Sequence, residues 1–133
     1  KKEILLNILS HEKIYVETDQ YKLSQIIYNI LTNAYKYTEN NGSVDIDYFV
    51  NNENIYIKIK DTGIGINKDD IDKIFNAYYR SSEVLKINGD GIGLYVVNEN
   101  LKLINGSIEV LSEINKGSTF IINLPLSLNL VNI

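Results

Sequence analysis

Between residues 23 and 37 apolar side chains recur every three or four positions. Leu23, Ile26, Ile27, Ile30, Leu31, Ala34 and the ring of Tyr37 form one continuous arc when plotted at about 100° per residue. This pattern predicts a helix over 20–38 lying on a sheet, with Thr18 or Asp19 as its cap and Asn40-Asn41-Gly42 as its stop. A period of two then takes over. Val44, Ile46 and Tyr48 alternate with polar residues, as do Ile55, Ile57 and Ile59, and Asn51-Asn52 joins the two runs into an antiparallel hairpin with one buried face. Asn67 to Asp70 supply caps for a short helix over about 68–76. A second long helix runs to Leu103, with Leu94, Val97, Leu101 and Ile104 inward and Asn105-Gly106 as its stop. Strands over 107–112 and 118–124 follow, joined by Asn115-Lys116-Gly117, and Pro125 ends the sheet. At the start, the runs 3–8 and 13–17 flank the polar break Ser10-His11-Glu12 and predict a small hairpin or strand pair. The tail 126–133 is apolar but short. Strands in hairpin pairs, interrupted by helices, give an α+β fold: a two-layer α/β sandwich with a mixed, mostly antiparallel sheet and about three helices on one face. The βα crossover of a dinucleotide-binding fold is missing, because Gly89-x-Gly91-x-Gly93 does not follow a strand.

At 133 residues the chain is long enough for one buried core, so a single domain is expected over 1–133. A formal net charge of −4 argues against a nucleic-acid-binding face, and an anionic ligand would have to be held by local geometry. No apolar run approaches the ~20 residues of a membrane span, so no direct membrane contact by this domain is expected. The absence of cysteine excludes a disulfide framework and a thiolate metal site. The chain opens on Lys1 without a signal-peptide pattern, and the expectation is a piece of a longer protein.

Four groups of residues carry candidate chemistry. Asn29, Asn33 and Lys36 lie along one edge of the first helix's apolar arc, where they are suited to a hydrated cation and phosphate oxygens; alternatively the amides cap neighbouring backbone or meet water. Asp61 stands where a strand gives way to D-x-G-x-G. Its carboxylate can accept a hydrogen bond from an exocyclic amine, which favours adenine over guanine, while Gly63 and Gly65 let backbone approach a flat ring or adopt positive φ. A plain Asp-Gly turn is the other reading. Gly89, Gly91 and Gly93 ahead of a helix are suited to wrapping backbone N–H groups round phosphates. Arg80 and the aperiodic stretch 81–88 look like a lid with one guanidinium, against the commoner case of a solvated arginine.

In this order, the segments resemble the ATP-binding catalytic domain of sensor histidine kinases, in the superfamily shared with gyrase, Hsp90 and MutL. Asn29-x-x-x-Asn33-Ala34-x-Lys36-Tyr37-Thr38 is similar to its N box, and Asp61-Thr62-Gly63-Ile64-Gly65-Ile66 to its first glycine box. Phe75 through Arg80 is similar to the F box, Gly89-x-Gly91-Ile92-Gly93-Leu94 to the second glycine box, and Gly117-Ser118-Thr119-Phe120 to the third. The resemblance implies a Bergerat-type ATP-binding fold and the ligands ATP and Mg²⁺. It implies that Asn29 and Asn33 contact the metal and phosphates, that Lys36 and Arg80 neutralise phosphate charge, and that Tyr37 packs near the adenine. Asp61 would pair with the adenine amine and Thr119 would lie at the base end of the pocket. Ile66, Ile92 and Leu94 come with the glycine boxes as binding residues. Tyr78 stands where the family usually has Phe, and Asp90 where it has a small neutral or hydroxyl residue.

Superfamily members that hydrolyse ATP with a dedicated base carry glutamate at the first N-box position; here it is Asn29, which cannot take a proton from water. The implied role is transfer of the γ-phosphoryl group to a histidine on a separate dimerisation domain, and thence to an aspartate of a response regulator. The resemblance also implies a cytoplasmic domain of a membrane-anchored protein. His11 is not expected to be the acceptor: Lys13-Ile14-Tyr15 follows where the family's acceptor motif has Arg-x-Pro, so His11 reads as a turn residue. Two rivals stand beside this reading. One is an anti-sigma-factor serine kinase, and the other a degenerate nucleotide-binding module for protein docking, prompted by Asp90 and by Val84, Leu85 and Ile87 of the lid.

Overall fold

The computed structural model describes residues 2–76 and 93–127. Its order is β1 (Leu5–Ile8), α1 (Gln20–Tyr37), β2 (Ser43–Asn51), β3 (Asn54–Asp61), α2 (Gly93–Leu103), β4 (Ser107–Glu113) and β5 (Gly117–Pro125). The five strands lie in the order β1-β2-β3-β5-β4. Only the β1–β2 pair is parallel; the other three pairings are antiparallel.

Side-chain alternation decides which face of this sheet is covered. Val44, Ile55, Ile57, Ile59, Phe120, Ile122 and Leu124 are buried beneath Ile26, Ile30 and Ala34 of α1 and Val97 and Leu101 of α2. The two helices are tied side by side by a hydrogen bond from Asn100 Nδ2 to Gln25 Oε1 at 3.0 Å. Asp19 caps α1, its Oδ1 accepting from Lys22 N at 3.0 Å, and these contacts hold its carboxyl below the ordinary value. At the end of α2 the left-handed position falls on Asn105 (φ 61°), and Gly106 N donates to Leu101 O at 2.8 Å, closing a Schellman turn. Asn41, Asn52 and Asn115 take the left-handed conformation at the other turns, at φ 71°, 58° and 66°.

Two expectations are corrected. Residues 3–8 and 13–17 do not pair with each other. β1 instead joins β2, with Leu5 N donating to Gly42 O and Leu9 N to Ile46 O, and the Ser10 hydroxyl bonds Asp47 and the backbone of Tyr48, so the chain runs on along β2 rather than folding back. Of 13–17, only Glu17 makes a bridge, to Ser127, and His11 is exposed in a segment without regular structure. Second, the described residues contain two α-helices rather than three. The short helix expected at 68–76 is a single 3₁₀ turn, Ile71–Lys73. The Asn67 side chain accepts from Asp69 N, and the backbone bonds 70→67, 73→70 and 76→73 all span three residues, so the segment stays in tight turns that do not lengthen into an α-helix.

Candidate functional site

A cleft of about 580 Å³, its open mouth included, lies between α1, the loop after β3, α2 and β5. Asn33, Ala34 and Tyr37 of α1 form one wall, Ile64, Gly65, Ile66 and Ile74 another, and Leu94 and Phe120 close the apolar interior. At its floor Asp61 and Ser118 face one another as a cross-strand pair.

Asp61 is 6% exposed, and its fit depends on one oxygen. Oδ1 accepts from Gly63 N at 2.8 Å and from Ser118 N at 3.2 Å, while Oδ2 takes no hydrogen bond from the described residues. On a residue so buried, the oxygen left over at the end of an apolar cleft is an acceptor for a ligand donor. Burial pushes the Asp61 carboxyl above its ordinary 3.8, and the two backbone N–H groups oppose this in part. Because the folded value is the higher one, the contribution of Asp61 to stability is full below 3.8 and is lost as pH rises through the folded value. A ligand amine needs the ionised form. Affinity for an amine-bearing ring should therefore fall as pH is lowered through that raised value, with a proton released on binding. Calorimetric titrations in buffers of different ionisation enthalpy check this, and a flat profile would contradict it.

The loop that carries Gly63, Gly65 and Ile66 is fixed by its backbone. Ile64 N donates to Tyr37 O at 3.0 Å, and Asn115 N to Ile64 O at 2.8 Å. A Cβ on Gly63 would lie 2.6 Å from Tyr37 O, and one on Gly65 (φ 75°) 2.1 Å from Glu113 O. These glycines allow the loop to pass between the end of α1 and the β4–β5 turn. Gly65 also lines the cleft, whereas Gly63 lies buried behind Asp61.

Of the residues singled out in the sequence, Asn33, Tyr37, Asp61, Gly65, Ile66 and Leu94 come together around the cleft. Asn29 lies one turn before Asn33 and faces the start of α2, its Oδ1 3.9 Å from where a Cβ on Gly93 would sit. The Lys36 side chain is exposed on the last turn of α1 and does not line the cleft. Arg80, Tyr78, the stretch 81–88, Gly89, Asp90, Gly91 and Ile92 lie outside the described residues. Thr119 is corrected: β5 alternates, and Ser118, Phe120 and Ile122 point to the helices, whereas Thr119 is level with exposed Lys60 and Leu111 on the other face. Ser118 holds the place at the cleft floor that was expected of Thr119. The inward spacing of Phe120, Ile122 and Leu124, read two residues back, points to Ser118.

Among the described residues no helix is long and apolar enough to cross a membrane, and no group of three His, Cys, Asp or Glu side chains could hold a metal ion.

Residues 18–128 match the family described as histidine kinase-, DNA gyrase B-, and HSP90-like ATPases. The chain is 39% identical over 121 residues, 88% of its length, to the sensor histidine kinase WalK of Bacillus subtilis (strain 168), and covers 20% of that protein. It is 30% identical over 119 residues, 84% of its length, to the autoinducer 2 sensor kinase/phosphatase LuxQ of Vibrio parahaemolyticus serotype O3:K6, and covers 14% of it. Among solved structures, the catalytic domain of histidine kinase ThkA superposes with a TM-score of 0.78 at 22% identity, over 94% of this chain and 80% of that one. Full-length ShkA in complex with AMPPNP superposes with a TM-score of 0.78 at 27% identity, over 92% of this chain and 25% of that one. The α+β sandwich is thus the fold of histidine kinase catalytic domains, and the chain belongs to the histidine kinase-, DNA gyrase B- and HSP90-like ATPase family.

Proposed function

We propose that this domain binds Mg²⁺·ATP in the cleft and presents the γ-phosphoryl group to a histidine on a separate dimerisation domain, for onward transfer to an aspartate of a response regulator. The observation that carries the reading is Asp61. Its Oδ2, which takes no hydrogen bond from the described residues, meets the need of an adenine amine at the floor of an apolar cleft, and Tyr37, Ile66 and Phe120 offer the ring apolar walls. From this floor the cleft runs to the Asn33 edge of α1, where a triphosphate would leave it.

The residues along that edge fit a metal-bound phosphate chain. Asn33 and Asn29 stand one turn apart, where their carboxamides can bond the waters of a hydrated Mg²⁺ and the phosphate oxygens, and Lys36 stands almost a turn further on. The metal, when bound, neutralises phosphate charge and holds the terminal group in line for displacement. Asn29 and Asn33 would orient it, Lys36 and Arg80 would add charge, and the backbone of Gly89, Gly91 and Gly93 would cradle the phosphates. Asn29 cannot abstract a proton from water, so the chain favours transfer over hydrolysis. In the transfer, a lone pair of the neutral acceptor imidazole forms the phosphorus–nitrogen bond, the bond from the γ-phosphorus to the β,γ-bridging oxygen breaks with its electron pair leaving on ADP, and the proton on the other imidazole nitrogen passes to solvent. The reading places the domain on the cytoplasmic side of a membrane-anchored sensor kinase.

Calorimetry with a non-hydrolysable ATP analogue and Mg²⁺, followed by incubation with ATP and the histidine-bearing domain of the same protein, tests the proposal. Saturable heat and an acid-labile, base-stable phosphate on the acceptor are expected. An acid-stable phosphate on serine would favour the serine-kinase reading, and no heat would favour a docking module. Asn33→Asp puts a formal charge beside the phosphates, and should slow transfer at least tenfold with a smaller change in nucleotide affinity, as single-turnover assays would read.

A further inference from the structure

Ser112, on β4, does not line the cleft but bonds two residues that do, Ile66 of its wall and Ser118 of its floor, and the neighbouring Gly117. Its Oγ accepts from Ile66 N at 2.7 Å, donates to Gly117 O at 3.0 Å and lies 2.7 Å from Ser118 Oγ. A serine hydroxyl has one proton and two lone pairs. The carbonyl of Gly117 can only accept, so the Ser112 proton is committed there, and the amide of Ile66 takes one lone pair. The remaining lone pair can only accept from Ser118. The Ser118 proton is therefore turned away from the cleft, and that hydroxyl meets a ligand with lone pairs alone, across the strand pair from Asp61, whose Oδ2 takes no hydrogen bond from the described residues.

We infer that Ser112 is a positioning residue for base selectivity: by taking up the Ser118 proton it makes the cleft floor a pair of adjacent acceptors, suited to both N–H bonds of an exocyclic amine. Ser112 touches no ligand itself. It acts through Ser118, and through Ile66, whose amide it anchors. A Ser112→Ala chain releases the Ser118 proton, so that hydroxyl is no longer held as an acceptor and can turn its donor to the cleft, where it would oppose the amine. This inference rests on the adenine reading of the cleft.

The test compares Mg²⁺·ATP with Mg²⁺·purine riboside triphosphate, which lacks the 6-amino group, by calorimetry on the whole chain. The wild-type chain should prefer ATP, and Ser112→Ala should reduce that preference roughly 3- to 10-fold. Ser112→Thr, which keeps the hydroxyl, should retain it, and this keeps the test open if the alanine variant folds poorly. On a Ser118→Ala background, Ser112→Ala should leave the preference unchanged. An equal loss of affinity for both triphosphates, or an unchanged preference in Ser112→Ala, would overturn the role of Ser112 while leaving the ATP reading intact. A wild-type chain that binds neither triphosphate would overturn both.

Discussion

Asp61→Asn leaves the chain folded and lowers its affinity for ATP roughly 30- to 150-fold, about 2–3 kcal/mol. The structure separates the two effects because the carboxylate divides its work between its oxygens. Oδ1 holds Gly63 N and Ser118 N, and an asparagine Oδ1 can do the same. Oδ2 has no donor among the described residues, and in the variant an amide N–H would meet the adenine amine head on. Thermal melting should show little change in the unliganded chain, since the substitution also removes a buried carboxylate whose ionisation burial disfavours. Equal ATP affinity for parent and variant would place the base elsewhere.

Gly117→Ala is expected to destabilise the chain by about 3 kcal/mol or more, read by urea denaturation, and to abolish nucleotide binding at accessible concentrations. Gly117 has φ 117°, and a Cβ there would lie 2.0 Å from Asp61 O and 3.0 Å from Thr62 Cα. An L side chain is strained in that backbone region even with space around it, and here the neighbour is backbone that cannot turn aside. Relief would separate the start of β5 from the end of β3, which are the strand ends that bring Ser118 N to Asp61 Oδ1. A loss below about 1 kcal/mol would show that the two strand ends are not locked together as described.

Much of this was legible in the chain because the signals are local. α1 follows from the spacing of Ile26, Ile30 and Ala34 and from Asp19, and the β2–β3 hairpin from two alternating runs with Asn52 free to turn left-handed between them. The Asp61 turn was legible because a carboxylate followed by glycine binds its own backbone, as the Gly63 contact shows. What failed depended on remote partners. β1 pairs with residues 38 positions away in sequence, and nothing in LLNI says whether its neighbour is 13–17 or 43–46. The 68–76 segment has apolar residues at Ile71, Ile74 and Phe75 that suit either helix type, and an Asn67 side chain that caps Asp69 N opens either one; the 70→67, 73→70 and 76→73 backbone bonds that distinguish them leave no mark in the sequence. Thr119 and Ser118 are chemically alike, so only the pleat separates them, and the pleat was readable from Phe120 onward. Ser112 was invisible for a different reason: its meaning is a set of three hydrogen bonds, none to a neighbour nearer than Gly117.

The central claim is that adenine seats against Asp61. The most direct measurement is a ¹H–¹⁵N NMR titration of the chain with a non-hydrolysable ATP analogue and Mg²⁺, following the amides of Gly63 and Ser118, which both donate to Asp61 Oδ1. Both amides should shift along one saturable curve. If the analogue binds while those two amides stay where they are, the base does not lie at the floor of this cleft.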